Sequence, residues 1–133
     1  MKIYTYSNSS KKKATFYIQA KGLHAGRPLK NPIRNCFAVQ TDEKHAFESV
    51  YVGWVSRQFE PYIGGSVIPF IKIGDVKNQV RSLIALKIPP VEISLITRID
   101  SQIENSIKLI ATLKIQKKIY SLHIIKKYAK SKN

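Results

Sequence analysis

The apolar positions of this chain fall into two regimes. Up to Ile88 they come in short runs separated by turn residues; after Pro90 they recur in steps of three and four, with no further Pro or Gly. The second regime predicts a long helix. Ile96, Ile99, Ile103, Ile110, Leu113, Tyr120 and Ile124 share one stripe, Ser106 and Lys117 fill its two remaining places, and a second row, Ile107, Ile115, Ile119 and Leu122, makes another side apolar. Over residues 92–129 such a helix is roughly 57 Å long, more than a domain of about 90 residues can cover. Part of the stripe is therefore expected to meet something else. The plainer alternative is one helix, or two broken near Thr112, lying across its own domain.

The first regime predicts a small sheet. Residues 2–6 alternate like a strand, 7–13 form a polar loop tipped by Lys11, Lys12 and Lys13, and 14–20 are aromatic and β-branched, so the two strands are expected to pair as a hairpin with a basic tip. Residues 21–35 hold two Gly and two Pro and read as an irregular loop, with Lys21, His24, Arg27, Lys30 and Arg34 along it. Residues 36–40 resume as a central strand. Residues 43–59 then place Ala46, Phe47, Val50, Tyr51, Trp54, Val55 and Phe59 at helical recurrence, with Thr41 or Asp42 as cap and Pro61 as stop. These aromatics read as core, because a base-stacking platform would need them exposed.

Gly64-Gly65 reads as a turn, 67–73 as an extended segment whose Pro69 suits an edge, and Gly74-Asp75 as a second turn. Asp75 is expected to cap a short helix to about Arg81, and 82–88 to run as a strand into Pro89-Pro90. The predicted fold is α+β: a small twisted, mostly antiparallel sheet with a packing helix in residues 1–90, then a long basic helix in 91–133.

Charge changes this picture most. The chain carries 23 Lys and Arg against 8 Asp and Glu over 133 residues, a formal net charge of +15. It is uneven: residues 1–41 and 108–133 contain no acid at all. Basic ends of this kind are the footprint of a polyanion partner, since cations near phosphates release condensed counterions. Phosphate contacts are expected from Lys11, Lys12, Lys13, Lys21, Arg27, Lys30, Arg34 and Lys72, and partner contacts from Ile96, Ile99, Ile103, Ile110 and Leu113. A membrane surface fits less well, because Lys117 interrupts the apolar stripe.

Other chemistry is hard to place. Cys36 is the single cysteine, so an internal disulfide and a thiolate metal cluster are both excluded, and it reads as a small buried apolar residue. His24, His45 and His123 lack metal-ligand spacing. Gly22 and Gly26 lack the spacing of a phosphate loop, and Glu104 with Lys108 is an ordinary helix pair. An enzyme is not expected, nor a cofactor. The start has no apolar run of a secretory signal and no window approaches a membrane span, so a cytoplasmic protein is expected.

One resemblance rests on the order of elements around the proline pair. A helix ending in Phe59-Glu60-Pro61, then Gly65-Ser66-Val67-Ile68-Pro69, a short helix, the strand Leu83-Ile84-Ala85-Leu86-Lys87-Ile88-Pro89-Pro90 and a long Ile/Leu/Lys helix resemble the distal part of one half of a type I restriction-modification specificity subunit. Here Val91-Glu92-Ile93-Ser94 keeps the Glu of that family's Glu-Gln pair and replaces the Gln. The likeness spans about residues 45–130, and the front is similar to a family of short uncharacterised bacterial proteins. A full subunit has two recognition domains and two spacer helices; this chain has at most one of each.

The resemblance implies DNA recognition alongside a methyltransferase subunit that carries S-adenosylmethionine. The expected function is thus a non-enzymatic module binding duplex DNA, working as a homodimer through the last helix or with that subunit. An antiparallel pair is preferred, since it brings each basic end towards the acid-bearing start of the other helix, Glu92, Asp100 and Glu104. The alternative is an adaptor or modulator of a restriction-modification complex that does not touch DNA. A small hydrolase or transferase with an unrecognised site is the third reading.

Overall fold

The computed structural model describes residues 1–10 and 13–131. The chain divides into two compact units, Met1–Ile93 and Ser94–Asn133. The first unit is built on its most apolar strand. β4 (Cys36–Gln40) is buried at every position but the last, so it needs a strand on each side, and β1 (Lys2–Thr5) and β2 (Phe16–Gln19) both pair with it antiparallel. β3 (Pro28–Leu29) adds to β2, giving the order β1-β4-β2-β3. The expected hairpin of the first two strands is therefore corrected, because β4 separates them. The loop 21–35 likewise contains a short strand, where Pro28 is tolerated because an edge asks for no inward N–H.

Strand alternation gives the sheet two unlike faces. Ile3, Phe16, Ile18, Phe37 and Val39 enter the core beneath the helices, whereas Tyr4 and Tyr17 stand on either side of Ala38 on the opposite face. Tyr6 meets Tyr17 edge-on, ring centroids 5.3 Å apart. Burial, and then the neighbouring Tyr6, Tyr4 and Cys36, push the Tyr17 hydroxyl up. Cys36 is buried as expected; burial raises its thiol, and a backbone hydrogen bond at Ile33 offsets part of the rise. At the open end of the sheet, the Thr15 hydroxyl donates to the Thr41 carbonyl and accepts from its N–H, both at 3.0 Å.

α1 (Ala46–Val55) is shorter than the periodicity suggests. Neither Thr41 nor Asp42 caps it: His45 holds the N-cap in a left-handed conformation, and the Thr41 hydroxyl accepts from Glu43 instead. Its end comes before Pro61. Arg57 takes φ 64°, Gln58 N–H reaches the Gly53 carbonyl and Arg57 N–H that of Trp54, which is a Schellman closure with arginine where glycine is usual. A 3₁₀ turn, Glu60–Tyr62, follows, and β5 (Ile63–Gly64) pairs with β6 (Phe70–Ile71), so Gly64 is strand and the extended segment is shorter than residues 67–73.

α2 (Ile73–Ala85) replaces the expected short helix and strand. Lys72 is its N-cap and Asp75 lies inside the first turn, where a carboxylate favours the helix dipole. Val76, Val80 and Leu83 are its buried side chains, a helical spacing that carries the helix through the region read as a strand. The strand before the proline pair, on which the resemblance leaned, is therefore absent. α3 (Pro90–Lys130) runs unbroken for 41 residues, straight through Thr112, and every described residue from Ser101 onward is exposed. No helix among the described residues is long and apolar enough to cross a membrane.

The approach of α1 to α2 depends on Gly53. A Cβ there would lie 2.4 Å from Leu83 Cδ1, whereas one at Gly74 would meet nothing within 4 Å. In open helix, Gly to Ala gains about 1 kcal/mol. Gly53→Ala is expected to lose about 1–3 kcal/mol instead, because Leu83 must leave a packed site. Gly74→Ala should stabilise by up to about 1 kcal/mol. Urea unfolding midpoints of the two variants, moving in opposite directions, check the packing.

Candidate nucleic-acid interface

α1 buries Ala46, Ser49, Val50 and Gly53, and this turns its aromatics towards the rim. Phe47, Tyr51 and Trp54 are only half-buried, at the i, i+4, i+7 spacing of one stripe. The expectation that they are core holds in part: Phe47 and Trp54 pack against the core at its margin, Phe47 edge-on to Phe16, while part of each ring stays open. The loop between β2 and β3 and the residue that follows β3 lay cations on the stripe. Arg27 Cζ stands 5.7 Å from the Trp54 ring centroid and Lys30 Nζ 5.8 Å from that of Phe47, both within cation–π range. His24 meets Trp54 edge-on at 6.1 Å, and Tyr51 leans on it at 6.3 Å.

That loop is held from both sides. Gly22 N–H donates to the Pro69 carbonyl, Gly26 N–H to that of Gln19, and Gln19 N–H to that of Arg27. Gly26 has φ 87°, and a Cβ on it would lie 2.9 Å from Phe59 Cβ, so only glycine lets the loop close on Phe59. Arg27 and Lys30 are consequently presented by a fixed backbone.

The expected phosphate contacts do not form one cluster. Arg27 and Lys30 come together on the α1 stripe. Lys21 and Lys72 stand exposed on adjoining segments, where Lys21 bridges to Phe70 and Ile71 N–H donates to Ala20. Arg34 lies elsewhere, lining a cleft with Tyr6 and Asn8, and Lys13 is exposed just before β2. Lys11 and Lys12 fall outside the described residues. Of the expected partner contacts, Ile96 is half-buried, and Ile99, Ile103, Ile110 and Leu113 are each about half exposed along α3.

What sequence reasoning missed is that Phe47, Tyr51 and Trp54 lie at the margin of the core and keep part of their surface open. The missed signal is Gly53 beside Trp54: a helix face that approaches its neighbour through glycine, alanine and serine leaves its large side chains at the margin. Among the described residues no group of three or more His, Cys, Asp or Glu could hold a metal ion. No curated protein and no solved structure matches the chain. Residues 2–120 match the model of a family of unknown function, DUF6943, and the chain belongs to that family.

Proposed function

We propose that the chain is a non-enzymatic DNA-binding module that works as a pair joined through α3. The observation that carries the first half is the placement of Arg27 and Lys30, from an acid-free stretch, on the aromatic stripe of α1. Cations fixed on rings keep N–H groups outward for phosphate, and the rings offer flat surface beside them.

The second half rests on α3. Two copies running antiparallel with the two-fold axis between Ala111 and Thr112 set Ile110 against Leu113, Ile103 against Tyr120, and Ile99 against Ile124 of the second copy. In that register the two polar places of the stripe, Ser106 and Lys117, meet each other, and the hydroxyl accepts from the ammonium. A parallel pair would instead set Lys117 against Lys117. The antiparallel pair also brings Glu104 alongside Lys118 of the second copy. Each fully covered Ile or Leu contributes about 1.5–3 kcal/mol. A second reading, an adaptor docking on a methyltransferase without DNA, is favoured by the other exposed row, Ile107, Ile115, Ile119 and Leu122.

Labelled duplex DNA titrated at 50 and 200 mM salt tests the first half. If about four phosphates are neutralised, affinity falls roughly a hundredfold over that interval. Arg27→Ala with Lys30→Ala should weaken all sequences alike and lower the slope by about two. No binding at the lower salt would overturn the DNA reading and leave the adaptor.

Sedimentation equilibrium tests the second half. The wild type is expected as a dimer at tens of micromolar, and Ile103→Asp as a monomer that keeps its helical circular dichroism. Ser106→Asp fixes orientation: it tightens an antiparallel pair by facing Lys117 and loosens a parallel one by facing itself. A monomeric wild type that Ile103→Asp unfolds would mean that the stripe belongs to the protein's own core.

A further inference from the structure

Beside Trp54 lies a cleft of about 320 Å³. Its walls are Leu23, Ala25, Trp54, Val55, Phe59 and Ile63, with Arg57 and Glu60 at the mouth. This is at the small end of the roughly 300–1,000 Å³ span of ligand clefts, and it has their usual make-up of apolar walls and few polar groups. Two features set it apart from a surface dent. Its rim keeps apolar side chains in water, Leu23 being 90% and Val55 52% exposed. Its floor is fixed, because Gly26 closes on Phe59 and the Schellman turn locks Arg57.

The groups around it narrow the ligand. Trp54, Leu23 and Val55 line it together, and two cations stand by for the phosphates of a nucleotide, Arg27 over the Trp54 ring and Arg57 in the lining. Glu60 is the one acid in the lining; it pairs with Arg57 at 3.5 Å with both side chains more than half exposed, a weak tie that leaves its second oxygen able to accept. A base pair within a duplex is too wide and keeps its faces stacked on its neighbours. A single unpaired base is neither.

The geometry points to this cleft as a binding site for one unpaired base of a nucleic-acid strand, stacked on Trp54. The inference rests on the nucleic-acid reading above and adds that the strand is open at this point. Stacking against an aromatic side chain tolerates any base, so the site selects single-stranded over paired nucleic acid more than it selects sequence.

Trp54 is the single tryptophan of the chain, so all tryptophan emission comes from the ring that lines this cleft. A short oligo-dT and a duplex of equal length are titrated at low salt, with tryptophan emission and the anisotropy of a label on the DNA read together. The expected result is quenching by the single strand and little or none by the duplex. Trp54→Ala should weaken the single strand roughly 5- to 150-fold, the range for one lost base–aromatic stack, and the duplex by less, since there it only frees Arg27 from the ring. Trp54→Phe should recover part of it. Leu23→Asp, at a position too exposed to affect folding, should also weaken the single strand selectively. Anisotropy that reports binding with no change in emission, or equal quenching by both forms, overturns the cleft while the DNA reading stands. Absence of binding by either form at low salt overturns both.

Discussion

Everything in the first unit follows from the burial of β4 on both faces. A strand with Cys36, Phe37, Ala38 and Val39 all out of water cannot be an edge, so β1 and β2 must flank it, although they are neighbours in sequence. Once β2 has β4 on one side, the chain leaving it has to return along the other as β3. That return carries His24 and Arg27 on its loop and ends with Lys30 just past β3. The core therefore determines where the cations go: they arrive over α1 because β3 is the strand next to it.

The elements legible in the sequence were those with one dominant signal. Pro90, the absence of any later Pro or Gly, and the three-four stripe define α3, and the apolar run at residues 36–40 defines a central strand. What was not legible depended on contacts between distant residues. Leu83 fits an alternating strand as well as a helix until Val76 and Val80 are seen to need the same neighbour, α1. The ends of α1 rest on left-handed His45 and Arg57, two residues whose composition gives no hint of that conformation. The candidate site is half legible: its cations carry a charge signal, whereas helical spacing says that α1 has an apolar face and not that Phe47, Tyr51 and Trp54 fall at its margin.

The likeness to a specificity subunit extends to one of the two elements at the proline pair. The long helix after the proline pair is present. The strand before that pair is helix, so the junction in this chain is helix, short connection, helix, and α2 hands over to α3 through Lys87 at φ 48°. What remains is a physical description, a basic sheet domain and an exposed helix with apolar residues on more than one side.

The hydroxyls of α3 give that helix a property its charge conceals. Ser101 donates to the Thr97 carbonyl, Thr112 to Lys108 and Ser121 to Lys117, each four residues back along its own backbone. A hydroxyl bonded in this way has already exchanged water for a carbonyl. When another surface closes over it, the only hydration left to strip is a lone pair or two, far less than for a free serine or threonine. Three sites along α3 that look polar in the sequence would thus face any covering surface as nearly neutral spacers. The lysines are left as the groups that dictate which surfaces it rejects.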